Sequence, residues 1–200
     1  GLVRRAVEMP AGGWLDRGSG GGGELWFVIS GSGLLALDQG VSLELRPDRG
    51  IWLPSGVEYR ACSLDDDLLC DLVTLPPGGA ASSGPPVTSD FADRPVEITG
   101  DRQFRVVLGP ALGCPGATQF VGEIPPGRAP DHRHPYDETV LVLAGQGMLH
   151  LDGQTQPLTP GTCTHLPPGV PHCLENTGSV VLRVLGVFHP ADTPAAKLPA

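Results

Sequence analysis

The chain reads as an all-β protein built from two tandem copies of one antiparallel module, and three features lead there. The first is an internal repeat. Residues 24–38 (ELWFVISGSGLLALD) and 138–152 (ETVLVLAGQGMLHLD) align at an offset of 114, with Glu24 on Glu138, Gly31 on Gly145, Gly33 on Gly147, Leu37 on Leu151 and Asp38 on Asp152. Leu53-Pro54-Ser55-Gly56-Val57 aligns with Leu166-Pro167-Pro168-Gly169-Val170 at 113. Upstream, Val7-Glu8-Met9-Pro10-Ala11-Gly12 resembles Gly122-Glu123-Ile124-Pro125-Pro126-Gly127. The second feature is the strand pattern. Short runs rich in Leu, Val, Ile and Phe at 25–29, 33–37, 139–143 and 147–151 are punctuated by Gly, Pro, Asn or Asp every 8–12 residues, as in an antiparallel sandwich or barrel. The third is the lack of a helical stripe, with Pro interrupting most windows long enough to hold one.

In chain order, residues 1–76 form the first module. Its Gly20–Gly23 run, preceded by Ser19, predicts a loop that is either mobile or closely packed. The stretch 76–90 (PPGGAASSGPPVTSD) has linker composition, and the linker is drawn over 77–103. Residues 104–108 (FRVVL) open the second module or bridge the two; that module runs over 104–190, with a tail at 191–200.

Composition narrows the function. Gly (29) and Pro (22) are abundant and charged residues make up 18%, which fits many short strands joined by tight turns. A net charge of −9 without a Lys/Arg cluster gives nucleic acid no electrostatic footprint. No apolar run reaches the roughly 18–20 residues of a membrane span. The start, Arg4-Arg5 leading into Pro10, Gly12 and Gly13, does not resemble a signal peptide. Five cysteines, Cys62, Cys70, Cys114, Cys163 and Cys173, show no C-x-x-C spacing and read as thiols of a reducing cytoplasm. Cys163 and Cys173 flank a candidate ligand and could neighbour each other across a hairpin.

Chemistry concentrates in GRAPDHRHPYDETVLVLAG (127–145) and GTCTHLPPGVPHCLEN (161–176). His132 and His134 are two apart, so on one strand both side chains face the same way. Glu138 keeps that parity if the strand resumes after Pro135, and His172 follows a turn-rich segment into another strand. Three imidazoles and a carboxylate converging inside a barrel would suit Fe(II), Mn, Co, Ni, Cu or Zn.

These stretches resemble the two conserved motifs of the cupin superfamily. His132 through Gly145 fits H-x-H-x3-E-x6-G, although Gly127 stands one residue closer to His132 than the usual pattern. Gly161, Pro167, Gly169, His172 and Asn176 fit G-x5-P-x-G-x2-H-x3-N at every fixed position. The resemblance implies two cupin (double-stranded β-helix, or jelly-roll) barrels in tandem. It makes His132, His134, Glu138 and His172 the ligands of one divalent transition metal ion, with Fe(II) the first choice.

The first copy departs from the pattern. Gly18 and Gly20 stand where the second copy has its paired histidines, Tyr59 stands for His172, Asp48 for Gly161 and Ser63 for Asn176. Only Glu24 keeps a ligand type, so the first barrel is expected to carry no metal site and to serve a structural role. Tyr136, His150 and His165 are candidate proton-transfer groups near the metal, on condition that they face inward. Arg105, Arg128 and Arg133 are candidate anchors for an anionic substrate. Resemblance to cupins admits a metal-dependent dioxygenase or other oxidoreductase as first choice, with an isomerase, cyclase or lyase as alternative. A ligand-binding cupin without turnover is the third reading. The expected partner is a small-molecule substrate, and by analogy with cupins that pair through sheet edges, a second copy in a homodimer.

Overall fold

A computed structural model describes residues 1–38, 40–78, 84–196 and 198. The chain divides into two compact units, Gly1–Asp93 with Val107–Ala117, and Arg94–Val106 with Thr118–Ala200. Residues 79–83 of the expected linker, and 197, 199 and 200 of the expected tail, lie outside the described residues.

The first unit contains β1 (Val3–Met9), β2 (Trp14–Gly18), β3 (Glu24–Ser30), β4 (Gly33–Leu37), β5 (Ser42–Leu45), β6 (Arg49–Leu53), β7 (Glu58–Ser63), β8 (Leu68–Thr74) and β9 (Val87–Asp90). They form a five-stranded sheet in the order β1-β8-β3-β6-β9 and a four-stranded sheet in the order β2-β7-β4-β5. Side chains alternate on β7 and β4, so one face of the smaller sheet is apolar and the other is open. Trp26, Val28, Ile51 and Leu72 of the larger sheet meet Leu35, Leu45, Tyr59 and Ala61 of the smaller one in a shared core.

The second unit contains β10 (Glu97–Thr99), β11 (Arg102–Leu108, of which residues 102–106 belong to this unit), β12 (Thr118–Ile124), β13 (Gly127–Arg128), β14 (Asp137–Ala144), β15 (Gly147–Leu151), β16 (Gln154–Leu158), β17 (Cys163–Leu166), β18 (His172–Asn176) and β19 (Leu182–His189). Its sheets run β10-β11-β12-β19-β14-β17 and β13-β18-β15-β16. The order β12-β19-β14-β17 reproduces β1-β8-β3-β6, and the small sheets correspond strand for strand. Val140, Val142, Leu166 and Val184 pack against Leu149, Leu158 and Leu174 in the second core. Each unit is thus an antiparallel jelly roll, as the repeat predicts.

The duplication extends to irregularities. β3 slips register between Val28 and Ser30 where it pairs with β8, and β14 slips between Val142 and Ala144 where it pairs with β19. The turns that follow place Gly31 at φ +81° and Gly145 at φ +83°, each with its Cα against a neighbouring backbone that a Cβ would strike. Asp48 adopts φ +64° where the second copy has Gly161 at +88°. The amides of both residues donate to equivalent carbonyls, Val28 and Val142. Asp tolerates that region better than most residues, which is how the substitution survives.

One expectation changes, and two open alternatives are decided. The linker drawn over 77–103 contains β9, which pairs with β6 in the first unit, and β10, which pairs with β11 in the second. Strands of four and three residues between Pro and Gly are too short to show a period. The Gly20–Gly23 loop is closely packed: a Cβ on Gly22 would lie 2.0 Å from the Leu75 carbonyl oxygen, and one on Gly23 2.3 Å from the Trp52 ring. Cys163 and Cys173 sit in different sheets, and none of the five cysteines forms a disulfide. No described helix is long and apolar enough to cross a membrane.

Candidate metal centre

The second jelly roll carries the chemistry. Glu138 is the second residue of β14, opposite Leu166 of β17 and Phe188 of β19, and is buried. His172 opens β18 and is also buried. The His132–Pro135 segment is not a regular strand, contrary to the simplest reading of its spacing. It touches the sheet at one bridge, where His132 and His172 exchange both backbone hydrogen bonds at 2.9 Å. That reciprocal pair puts the two side chains on one face, with ring centroids 4.7 Å apart. Two residues on, the His134 carbonyl accepts from the Gly169 amide at 2.9 Å, tying the segment to the turn before His172. Pro167 and Gly169 of the second motif act through this turn, and Asn176 clamps another, its amide donating to the Ile124 and Val180 carbonyls.

His134, Glu138 and His172 come together, with one ligand atom from each lying within 4.8 Å of the others. His132 is half-buried and packs against His172 at the edge of that cluster. The orientation of the rings is informative. Nδ1 of His134 lies 3.0 Å from the Tyr136 carbonyl oxygen and Nδ1 of His172 lies 2.9 Å from that of Val170. A carbonyl only accepts, so each Nδ1 carries a proton, and in its neutral form each ring presents its Nε2 lone pair. Nδ1 of His132 faces the Pro130 carbonyl in the same sense at 3.4 Å. Burial holds His172 below the ordinary imidazole range, the Val170 carbonyl pulling the other way.

One contact shows what the site lacks as a purely hydrogen-bonded arrangement. Nε2 of His134 is buried and makes no hydrogen bond, yet lies 2.7 Å from Oε2 of Glu138. With the ring neutral, a divalent cation shared between Nε2 and the carboxylate oxygen accounts for so close an approach without a hydrogen bond. Bonds of ~2.1 Å to such an ion place neighbouring ligands roughly 3 Å apart, close to what is seen. The donor set fits a divalent ion, and His134, Glu138 and His172, with His132 beside them, are the residues that would hold it.

The cluster lies in a cavity of about 160 Å³, small beside the roughly 300–1,000 Å³ of pockets for drug-sized ligands. Phe104, Phe120, Ile124 and Val184 give it apolar walls. Tyr136 lines it too, but its ring is stacked between His134 (4.2 Å) and Phe188 (4.0 Å), and its hydroxyl donates to the Thr193 carbonyl at 3.2 Å. Burial, with the nearby Glu138 charge, pushes that phenol up from its ordinary range.

His150 and His165 do not face the cavity. Leu149 takes the interior of β15, so His150 points outward and pairs with Glu175 at 2.7 Å. Leu166 takes the interior of β17, so His165 is exposed and bonds the Asp137 carboxylate. Of the anchors considered, Arg128 faces a separate surface recess with Asp131 and His150, Arg105 donates to the Arg94 carbonyl, and Arg133 is not among the lining residues. Arg102, which no motif marks, is the cation that lines the cavity. Its Nη2 donates to the Leu174 carbonyl at 2.5 Å, while its Nε is buried without a hydrogen bond.

The first unit fills the equivalent place differently. Glu24 is buried, accepts from Arg17 Nη2 at 2.8 Å on one oxygen and from the Tyr59 hydroxyl at 2.5 Å on the other. A guanidinium and a phenol thus engage the carboxylate that corresponds to Glu138.

Comparison with known proteins agrees with this geometry. The family described as "Cupin domain" matches residues 120–188. Protein SchB of Streptomyces halstedii is 35% identical over 102 residues, covering 50% of this chain and 72% of that protein. The chain belongs to the cupin superfamily. An uncharacterised protein of Methanocaldococcus jannaschii is 33% identical over 60 residues, a match to 30% of this cupin and about half (48%) of that protein's length. Among solved structures, oxalate decarboxylase from Lactobacillus farciminis in complex with formate superposes with a TM-score of 0.82 at 14% identity, covering 98% of this chain and 78% of that one. Oxalate decarboxylase from Bacillus subtilis, described with Mn(II) centres, gives 0.78 at 14% identity, with 98% and 70% covered. At such identity the likeness establishes the bicupin fold.

Proposed function

We propose that this cupin is a mononuclear metalloenzyme acting on a small organic molecule in the second barrel, with a dioxygen-dependent oxidation as its reaction. The observation that carries the reading is the unpartnered Nε2 of His134 held against the Glu138 carboxylate in a buried, walled cavity. A divalent ion bound there supplies Lewis acidity and, if it is iron, redox chemistry with dioxygen. The protein's part is orientation. The Tyr136 and Val170 carbonyls fix the imidazole tautomers, the Tyr136 ring backs His134, and the apolar walls exclude bulk water around the reacting molecule. Outside the cluster, the titratable groups lining the cavity are Asp101, Arg102 and Tyr136. With His150 and His165 turned outward, this sparse set favours chemistry centred on the metal over proton shuttling by imidazole.

Asp101 and Tyr136 support a second reading, a non-redox lyase, isomerase or cyclase in which one of them moves a proton. Oxygen uptake by the Fe(II)-loaded protein with a panel of small enediols and catechols separates the two. Uptake that disappears in His172→Ala supports the oxidase reading. Turnover that proceeds equally under strict anaerobiosis overturns it in favour of the second.

A further inference from the structure

Arg102 is an unusual group to find at the wall of a small cavity. Its side chain is 15% exposed, and burial pushes the guanidinium down from its ordinary value. One nitrogen is engaged by the Leu174 carbonyl, whereas Nε has no hydrogen-bond acceptor. The nearest carboxylate, Asp101, is 3.8 Å from Nε, beyond hydrogen-bond reach, and is 66% exposed. A buried guanidinium donor left without an acceptor is costly, and an anion in the cavity removes that cost.

The tether also sets the position of the charge. Leu174 follows His172 by two residues on β18, and both line the cavity. Two residues of strand span roughly 7 Å, so the guanidinium is held about that far along β18 from the His172 position. The charge count points the same way. With neutral imidazoles, the Glu138 carboxylate leaves a divalent ion with one net positive charge; Arg102 adds one, which the more exposed Asp101 carboxylate offsets only across solvent.

We propose that Arg102 anchors the carboxylate of a small organic acid whose other oxygen atoms reach the metal cluster, so that the substrate is an anion spanning the cavity between the two charges. The inference rests on the metal reading above and adds the substrate class and its anchor. The Phe104 and Phe120 walls take the apolar body of the acid, and the guanidinium fixes which end faces the metal.

A matched pair of probes tests this on full-length protein loaded with redox-silent Zn(II). Catechol and 3,4-dihydroxybenzoate present the same chelating oxygens, and only the second has a carboxylate. Titration calorimetry is expected to show 3,4-dihydroxybenzoate binding roughly 10- to 100-fold more tightly than catechol, the range of a charge-assisted hydrogen bond. Arg102→Gln is expected to remove that preference and leave catechol affinity and metal content unchanged, and Arg102→Lys to restore part of it. Metal content of each variant shows that the barrel has folded. Equal affinities in the wild type at one zinc per chain, or a preference that survives in Arg102→Gln, overturn the anchor while leaving the metal centre standing. Absence of bound zinc in the wild type overturns both.

Discussion

The hydrogen bonds on the far side of each imidazole do as much for the centre as the imidazoles themselves. Because Nδ1 of His134 and of His172 is committed to a backbone carbonyl, Nε2 of each is kept as an acceptor for the metal. Tyr136 supports His134 through its own carbonyl and its stacked ring, neither of which requires the hydroxyl. Tyr136→Phe should therefore keep the full metal content and lose only the bond to Thr193, about 0.5–1.5 kcal/mol in denaturant titration. A variant that loses the metal would show that the hydroxyl matters to the centre. The clustering of His134, Glu138 and His172 was legible because two separated motifs matched at fixed positions. His150 and His165 were not, because spacing fixes parity along a strand without saying which parity faces inward. The leucines beside them take the interior. Arg102 belongs to no motif, and its place follows from the β10–β11 hairpin that brings it to the cavity.

Among the elements, β9 and β10 are ones the sequence concealed, and β9 shows why. Four residues in a Pro- and Gly-rich stretch show no period, and a charge pair across strands reinforces their ladder with β6. Arg49 of β6 faces Asp90 of β9 in register and grips it side-on, Nε to Oδ1 at 2.8 Å and Nη2 to Oδ2 at 2.9 Å, with Arg46 adding a contact at 2.6 Å. Its bond from Arg49 and the two positive charges hold the Asp90 carboxyl down at about 2, against burial. A depressed carboxylate contributes stability that is present above its unfolded value of 3.8 and is lost as pH falls from there towards about 2. Asp90→Asn should therefore destabilise the first unit by roughly 1 kcal/mol at neutral pH, for a pair partly open to solvent. The difference from wild type should close as the pH is lowered through that window. A deficit that is constant down to the acid limit would mean packing, rather than charge, anchors β9. The strands around the conserved turns were legible for the opposite reason: each is bounded by glycines whose positive φ recurs in both copies.

Taken as a molecule, this bicupin shows one fold holding a buried carboxylate in two ways. Glu138 lies against the Nε2 of His134 in a cluster that could hold a cation, whereas Glu24 has the guanidinium of Arg17. The ungapped repeat sets Gly18 and Gly20 on the paired histidines, but the strand register pairs Arg17 with Tyr59 as His132 pairs with His172, so Arg17 holds the His132 place, one residue before the aligned Gly18. If Arg17 replaces a metal electrostatically, Arg17→Gln leaves Glu24 buried with only the neutral hydroxyls of Tyr59 and Thr74 as donors. The first unit should then lose about 3 kcal/mol, with no change in metal content at the second. A loss below about 0.5 kcal/mol would show that Glu24 does not depend on that charge.

The most direct measurement is elemental analysis of the purified full-length chain beside His134→Ala and His172→Ala. About one divalent ion per wild-type chain, lost from both folded variants, is the expected result. A wild-type chain that refuses every first-row divalent ion on reconstitution, or variants that retain the full equivalent, would contradict it.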